Sequence, residues 1–444
     1  MGPTDTMPQW ERLPAEIRYA VFEVLVPRER GMVLKHGLSQ YSLVCKDWQP
    51  FFEKRLYRYL SLTQDSLHDF RRLVVRQRGL VKHIWLEIEL SDDGCDTCLV
   101  CRQPPSRHSH HSNAFQAITR LWQALTSWDR DQVACPPGSL TLEISGQFPR
   151  HLEPIFRYRR TLPVGIDHLY GQVHCVSPDC GSHLLQVQVV GCFVLRRQTQ
   201  HAFWPEAVAG LLHSLPNLGS VTYEPWWPLH SPPPAYLDPG HCRVITEALP
   251  KALRELTLSE DFEDYHSARR AYSMSRTYTS HRPKLMGAPD AAVGQALAER
   301  SLRLVRLSAT NIVDAQDFFA AVDPAWVWGS LTSLSLTSHL LVYKKPCAHV
   351  TCLLVQAGVA ALQMPQLKWM SIWNVTGGNA CVFSYEATDE HTMIKWRGTR
   401  HMRLDLEVAD VWSRVAELYT GRDLTIGTRG VPHTQHYGST LRPP

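Results

Sequence analysis

The sequence predicts an α/β chain in two parts: a small N-terminal helical module, then a long array of strand–helix units with strands on one side and helices on the other. Three observations predict it. Between Leu13 and Trp48 the apolar residues Ile17, Val21, Val24 and Leu25 recur at helical spacing. The phrase L-x-x-L-x-L, or an apolar equivalent, recurs as Leu218/Val221/Tyr223, Leu253/Leu256/Leu258, Leu304/Leu307/Ala309, Leu331/Leu334/Leu336 and Leu367/Met370/Ile372. Helix-like segments precede most of these: Pro205–His213, Arg243–Ala248, Ala291–Glu299 and Leu353–Leu362.

With 444 residues the chain is long enough for two or three domains. Its 44% hydrophobic and 20% charged content is globular rather than disordered. The formal net charge is +4 and no dense Lys/Arg stripe is visible, so no nucleic-acid partner is expected. The N-terminus has no basic stretch leading into an apolar run, and no segment of ~18 apolar residues occurs, so neither secretion nor a membrane partner is expected. Twelve cysteines in a chain without an export signal are expected to stay reduced, in the cytoplasm and/or nucleus.

In the N-terminal module, Leu13-Pro14-Ala15-Glu16-Ile17 opens a first helix, where proline's missing N–H costs nothing. Pro27 and Gly31 end that region, a second helix is expected over Leu38–Cys45 and a third over Phe51–Tyr59. So small a module cannot bury every apolar face internally, which calls for a partner. Cys45 reads as a small buried apolar residue rather than a nucleophile. The opening Leu13-Pro14-x-Glu16-Ile17 and the ending Leu43-Val44-Cys45-x-x-Trp48 resemble an F-box, the three-helix module that docks onto the Skp-type adaptor of an SCF ubiquitin ligase. The resemblance implies that residues 8–60 form this module and that Leu13, Pro14, Ile17, Val21, Leu43, Val44 and Trp48 meet the adaptor. One departure is Val21-Phe22, where the family has an Ile-Leu pair.

Residues 61–420 carry the strand–helix units. Leu60-Ser61-Leu62 alternates as a strand, Ser66 is placed to cap the helix carrying Leu67, Phe70, Leu73 and Val74, and Val81 to Leu90 alternates again. A helix over Ala114–Trp128, a strand over Leu140–Ile144 and a strand from Leu184 to Phe193 follow. The pattern resembles a leucine-rich repeat solenoid, in which strands line a concave sheet and helices cover the outside. The phrases recur every 27 to 51 residues, against ~20–29 in regular repeats. Polar insertions are therefore expected near 91–112, 228–240 and 259–290. An ordinary α/β domain of unrelated units is the competing reading. Phe193-Val-Leu-Arg-Arg197, Tyr223-Glu-Pro-Trp226 and Trp396-Arg-Gly398 are similar to phrases in filamentous-fungal F-box proteins with degenerate leucine-rich repeats.

If the leucines point inward, the residues between them face the concave surface, and most are hydroxyl-bearing. Candidate target-binding residues there are Glu224, Arg306, Trp369 and Trp373. The two tryptophans are either anchors for a partner or, as the following Cys381, Phe383, Tyr385 and Trp396 favour, a platform for a closing hairpin. A final helix is expected over Val408–Leu418, and residues 421–444 read as a loose tail. With Arg306 as the lone cation on this face, capture of a phosphorylated target is not expected.

The insertion at 91–112 contains Cys95, Cys98 and Cys101, followed by His108, His110 and His111. Thiolates and imidazoles at such spacing can share one tetrahedral zinc, with Cys95, Cys98, Cys101 and His108 as candidate ligands. The plainer reading is a surface loop rich in these residues and no cofactor. No phosphate-binding glycine loop, nucleophile elbow or zinc-protease motif is present, so no catalytic residue is assigned. The expected function is a non-catalytic substrate-recognition subunit of an SCF-type ligase. Its partners are a Skp-type adaptor with the cullin–RING core and an unidentified target protein. The alternatives are an F-box scaffold without a ubiquitin role and a zinc-binding protein built on residues 95–111.

Overall fold

In the computed structural model, the described residues are 10, 13–26, 28–29, 32–33, 37–89, 110–130, 133–147, 184–196, 203, 205–224, 242–259, 291–341, 346–376, 379–400 and 402–430. The candidate zinc ligands Cys95, Cys98, Cys101 and His108 lie outside them, as do nearly all of the three expected insertions.

The N-terminal module consists of α1 (Ala15–Leu25), α2 (Leu38–Ser42) and α3 (Trp48–Arg58), with a two-strand ladder of β1 (Arg28–Glu29) and β2 (Met32–Val33) between the first two. It has its own core of Phe22, Val26, Leu38, Phe51 and Phe52, against which Trp10, Leu25, Tyr41, Trp48 and Leu56 pack. Phe22 sits at its centre, with ring centroids 4.7 Å from Phe51 and 5.1 Å from Trp48. Gly37 (φ 84°) turns the chain into α2 in the left-handed region that glycine occupies without strain.

The rest of the described chain forms one sheet of 12 strands in strict sequence order. These are β3 (Tyr59–Thr63), β4 (His83–Glu89), β5 (Leu140–Gln147), β6 (Val190–Leu195), β7 (Ser220–Tyr223), β8 (Glu255–Ser259), β9 (Arg306–Asp314), β10 (Ser333–Thr337), β11 (Trp369–Thr376), β12 (Asn379–Ala387), β13 (Thr392–Gly398) and β14 (Leu424–Gly430). From β3 to β11 every pair is parallel; β11–β12 and β12–β13 are antiparallel, and β13–β14 is parallel. Parallel neighbours in unbroken sequence order step in one direction, so the reversal point of a doubly wound sheet is missing and same-handed crossovers fall on one face.

Register makes the sequence pattern physical. Ile84, Leu142, Phe193, Val221, Leu256, Leu307, Leu334 and Met370 stand opposite one another across eight strands, and all are buried. All five recurring leucine phrases lie in this core. The helices that cover it are α4 (Leu67–Leu73), α5 (His110–Trp128), α6 (Pro205–His213), a short turn of helix over Val244–Ala248, α7 (Ala291–Ser301), α8 (Ala315–Ala320), α9 (Cys347–Ala361) and α10 (Leu406–Thr420). Their apolar residues join the same core as the inward strand positions, which leaves the alternate strand positions on the opposite, polar face.

Several local expectations change. Ser66 does not cap α4; its hydroxyl instead closes the preceding turn, donating to the Thr63 carbonyl at 2.9 Å and accepting from the Thr63 N–H at 2.8 Å. The strand expected from Leu184 begins only at Val190. The segment read as a loose tail contains β14, paired over its whole length with β13. Gly421 (φ 63°) makes this possible: it ends α10 in the left-handed region, its N–H donating to Glu417 O at 3.0 Å, and returns the chain to the sheet.

Candidate functional site

Two surfaces stand out, one on each part of the chain. On the N-terminal module the helix α1 has two stripes. Phe22, Leu25 and Val26 face the aromatic core, while Ile17 and Val24, about two turns apart along the other stripe, stay 49% and 85% exposed. Pro14 is exposed beside them, and Leu13 and Val21 are half-buried. The turn after α2 exposes Leu43 (83%) and Val44 (57%). An ion pair between Arg18 and Asp47 at 3.1 Å holds that turn against α1.

The expected adaptor-binding set therefore divides. Pro14, Ile17, Leu43 and Val44 are exposed apolar groups, and Val24 joins them. Trp48 belongs to the interior instead, 5.2 Å from Trp10 and 5.7 Å from Phe52. Cys45, expected to be buried, is exposed. The L-V-C-x-x-W phrase sits on a turn, with only its tryptophan reaching inward.

The module is joined to the sheet without a linker: Arg58 ends α3 and Tyr59 begins β3. Glu53 of α3 accepts from Arg76 Nη2 at 2.8 Å, in the first crossover between α4 and β4. The Arg58 carbonyl accepts from the Lys82 N–H at 2.9 Å, at the start of β4.

On the polar face of the sheet, the first strands carry a cluster of titratable groups. His83 Nε2 lies 3.1 Å from Glu143 Oε2, Arg196 Nε lies 3.7 Å from Glu143 Oε1, and Tyr59 stacks on His83 with centroids 4.5 Å apart. Burial pushes His83 below its ordinary value, against the opposing pull of Glu143. Burial, then the Glu143 and Glu87 charges, push Tyr59 up. Cys192 on the same rung is also pushed up by burial, so it is held as a thiol and is a poor nucleophile. Trp85 Nε1 donates to Ser145 Oγ at 2.8 Å.

Of the expected target-binding residues, Arg306 pairs with Glu255 at 2.7 Å across β8 and β9. Glu224 is half-buried at the end of β7. Trp369 and Trp373 lie on the polar face of β11, both half-buried, with Trp373 Nε1 donating to Ser335 Oγ at 3.3 Å. The hairpin does not use them as a platform. Phe383 and Tyr385 point to the helical side and pack on Trp412 of α10, with centroids 5.3 and 4.9 Å apart. The closing units instead extend the polar face and bring Lys395, Arg397 and Arg429 onto it. The expectation of Arg306 as the lone cation took in β7 to β11 only; Arg196 lies before that stretch and Lys395, Arg397 and Arg429 after it, where the period-two pattern of Met393, Lys395 and Arg397 is the available signal.

Among the described residues no group of three or more His, Cys, Asp or Glu is placed to hold a metal ion. Nor is any helix among them long and apolar enough to cross a membrane.

Residues 248–442 match the model of DUF6546, a family of unknown function. The match begins in the short helix before β8 and runs past β14, somewhat under half of the chain. No curated protein matches the chain.

Proposed function

We propose that this protein is the substrate-recognition subunit of an SCF-type ubiquitin ligase. The N-terminal module is read as an F-box that binds a Skp-type adaptor through Leu13, Pro14, Ile17, Val21, Leu43 and Val44, with Val24 added to them and Trp48 serving the module's interior. The sheet and its helices are read as an irregular leucine-rich-repeat-like solenoid whose polar face holds a target protein. The observation that carries the reading is the exposed apolar stripe of α1 together with Leu43 and Val44, on a module that already has a full core of its own. Several exposed apolar side chains on a small, well-packed module, with the turn that carries two of them tied to α1 by Arg18 and Asp47, support a partner site.

The direct passage of α3 into β3 supports a proximity mechanism. A target on the sheet is held at a fixed offset from the adaptor. The cullin–RING core then supplies the ubiquitin-transfer chemistry, and the chain itself raises the effective concentration of target lysines. The protein is not itself an enzyme in this reading, and its place of action is the cytoplasm and/or nucleus. The test is quantitative proteomics of cells with and without the chain. A target should accumulate on deletion and be stabilised to the same level by proteasome inhibition; adaptor binding with no such target would leave a scaffold and overturn the ligase role.

A further inference from the structure

We propose that β14 is a self-association edge: two copies of this chain join through an antiparallel β14–β14 pair, making one continuous sheet across a two-fold axis. The inference goes beyond the ligase reading and stands without it. β14 is the last strand of the sheet and pairs with β13 on one side only. It runs for seven residues in unbroken register, with no proline and no bulge. Every residue in it is exposed or half-buried. A straight, open edge strand presents alternate N–H and C=O groups as a template for another strand.

The side chains of the strand select the occupant. Asp423 stands just before β14 and Arg429 near its end, and both are exposed. Among the described residues neither side chain has an ion-pair or hydrogen-bond partner, whereas Arg422 donates to the carbonyls of Thr388 and Asp389, and Lys395 is held by Glu386 at 3.2 Å. Ile426, midway between the two charges, is on the helix side beside Ile394 and stays 46% exposed. An antiparallel pair of identical strands must match residues of the same face, because a slip of one residue puts them on opposite faces. Centred on Ile426, the pair sets this residue against its own counterpart. It also sets Leu424 against Thr428 on the helix side and Asp423 against Arg429 on the polar side, both twice by symmetry. Centring on Thr425 or Gly427 would instead put Arg429 against Gly421 or Thr425 and leave the charges unmatched.

A strand that reads acidic, apolar and basic along its length is its own antiparallel complement, so the partner is a second copy. The two-fold axis stands perpendicular to the sheet and keeps both helical layers on one face. The N-terminal module adjoins β3, the opposite edge of the sheet. Strands about 4.8 Å apart give each copy roughly 50 Å of sheet, so the two modules lie at the outer ends of the joined sheet and neither is covered. An edge of seven residues is a small interface, so the dimer belongs to the weak, concentration-dependent class.

The test is sedimentation velocity of the full chain from about 1 to 100 μM. The expected result is a monomer–dimer equilibrium. Asp423→Arg and Arg429→Asp each set like charges opposite one another, and should weaken dimerisation at least tenfold at unchanged melting temperature. Mixed in equal amounts, these two variants should form a heterodimer at wild-type strength, because both charge pairs are complementary again. A wild-type chain that stays monomeric throughout, single variants that dimerise like the wild type, or a mixture that stays monomeric would each overturn the proposal. Stronger association of Asp423→Ala/Arg429→Ala would overturn it too, and would make the two charges guards against edge-to-edge pairing instead.

Discussion

Trp328 donates its indole N–H to Ser301 Oγ at 2.7 Å, and both residues are fully buried. The relationship recurs between Trp122 and Ser214 at 2.8 Å. In both, the serine stands at the end of a helix and returns its own hydroxyl to the carbonyl three residues back, Ala298 for one and Leu211 for the other. One side chain thus closes a helix end and satisfies an indole that no water reaches. Ser301→Ala leaves that donor orphaned and should cost about 1–3 kcal/mol, read as a lower urea midpoint. Trp328→Phe added to it should cost less than the sum of the two single changes, because the orphan is gone.

Gly358 of α9 lies where α10 crosses it. A Cβ there would stand 2.6 Å from Val411 Cγ1 and 3.1 Å from Trp412 Nε1. Gly358→Ala should therefore destabilise by about 1–3 kcal/mol through overpacking, despite alanine's better helix propensity. Val411→Ala in the same chain makes room, and should return part of the loss in thermal unfolding.

Asp314 caps α8 and ties it to the turn after β10. Its carboxylate accepts from Gln316 N at 2.9 Å, Ser338 Oγ at 2.8 Å and His339 N at 2.7 Å, and pairs with the His339 ring. Burial alone would raise its pKa, but these bonds together outweigh it and hold the carboxyl below its ordinary 3.8. A depressed carboxylate stabilises the fold above its unfolded value and loses that contribution as pH falls through the folded one. The stability difference between the wild type and Asp314→Ala should be constant near neutrality and shrink below about pH 4. Melting temperatures measured across pH 7 to 3 check it.

Phe22 and Leu43 make a paired prediction within the N-terminal module. Phe22 is buried among Trp10, Trp48, Phe51 and Phe52, so Phe22→Ala should cost about 3–5 kcal/mol and loosen the module. Leu43 is exposed, so Leu43→Ala should change stability by less than about 0.5 kcal/mol. Proteolysis of the first 60 residues, followed by mass spectrometry, separates the two.

The leucine phrases were legible because burial on one face of a strand leaves a period-two signature, and all five fall in the core. The helix Pro205–His213 was readable to the residue from its proline and apolar stripe. What the pattern does not carry is which of two apolar stripes on α1 turns inward. Ile17, Val21 and Val24 have the cleaner spacing, yet the bulkier Phe22 takes the core because rings fill the gap between α1 and α3. The expected cover over Trp369 and Trp373 fails for a related reason. The residues expected to cover them are one position out of phase, and a single residue of phase puts a strand's side chains on the opposite face. The strand β14 was missed because its helix-side positions, Leu424, Ile426 and Thr428, remain partly or wholly exposed and give little burial signal.

In the proposed function, exposed apolar groups on the N-terminal module dock an adaptor. The measurement is co-purification of a Skp-type adaptor with the full wild-type chain and with Leu43→Asp/Val44→Asp, a pair of exposed positions whose change leaves the module's core intact. The expected result is a stoichiometric complex with the wild type and at least a tenfold loss with the double variant, at unchanged melting temperature. A folded wild-type chain that retains no adaptor, or a double variant that binds as well as the wild type, would contradict it.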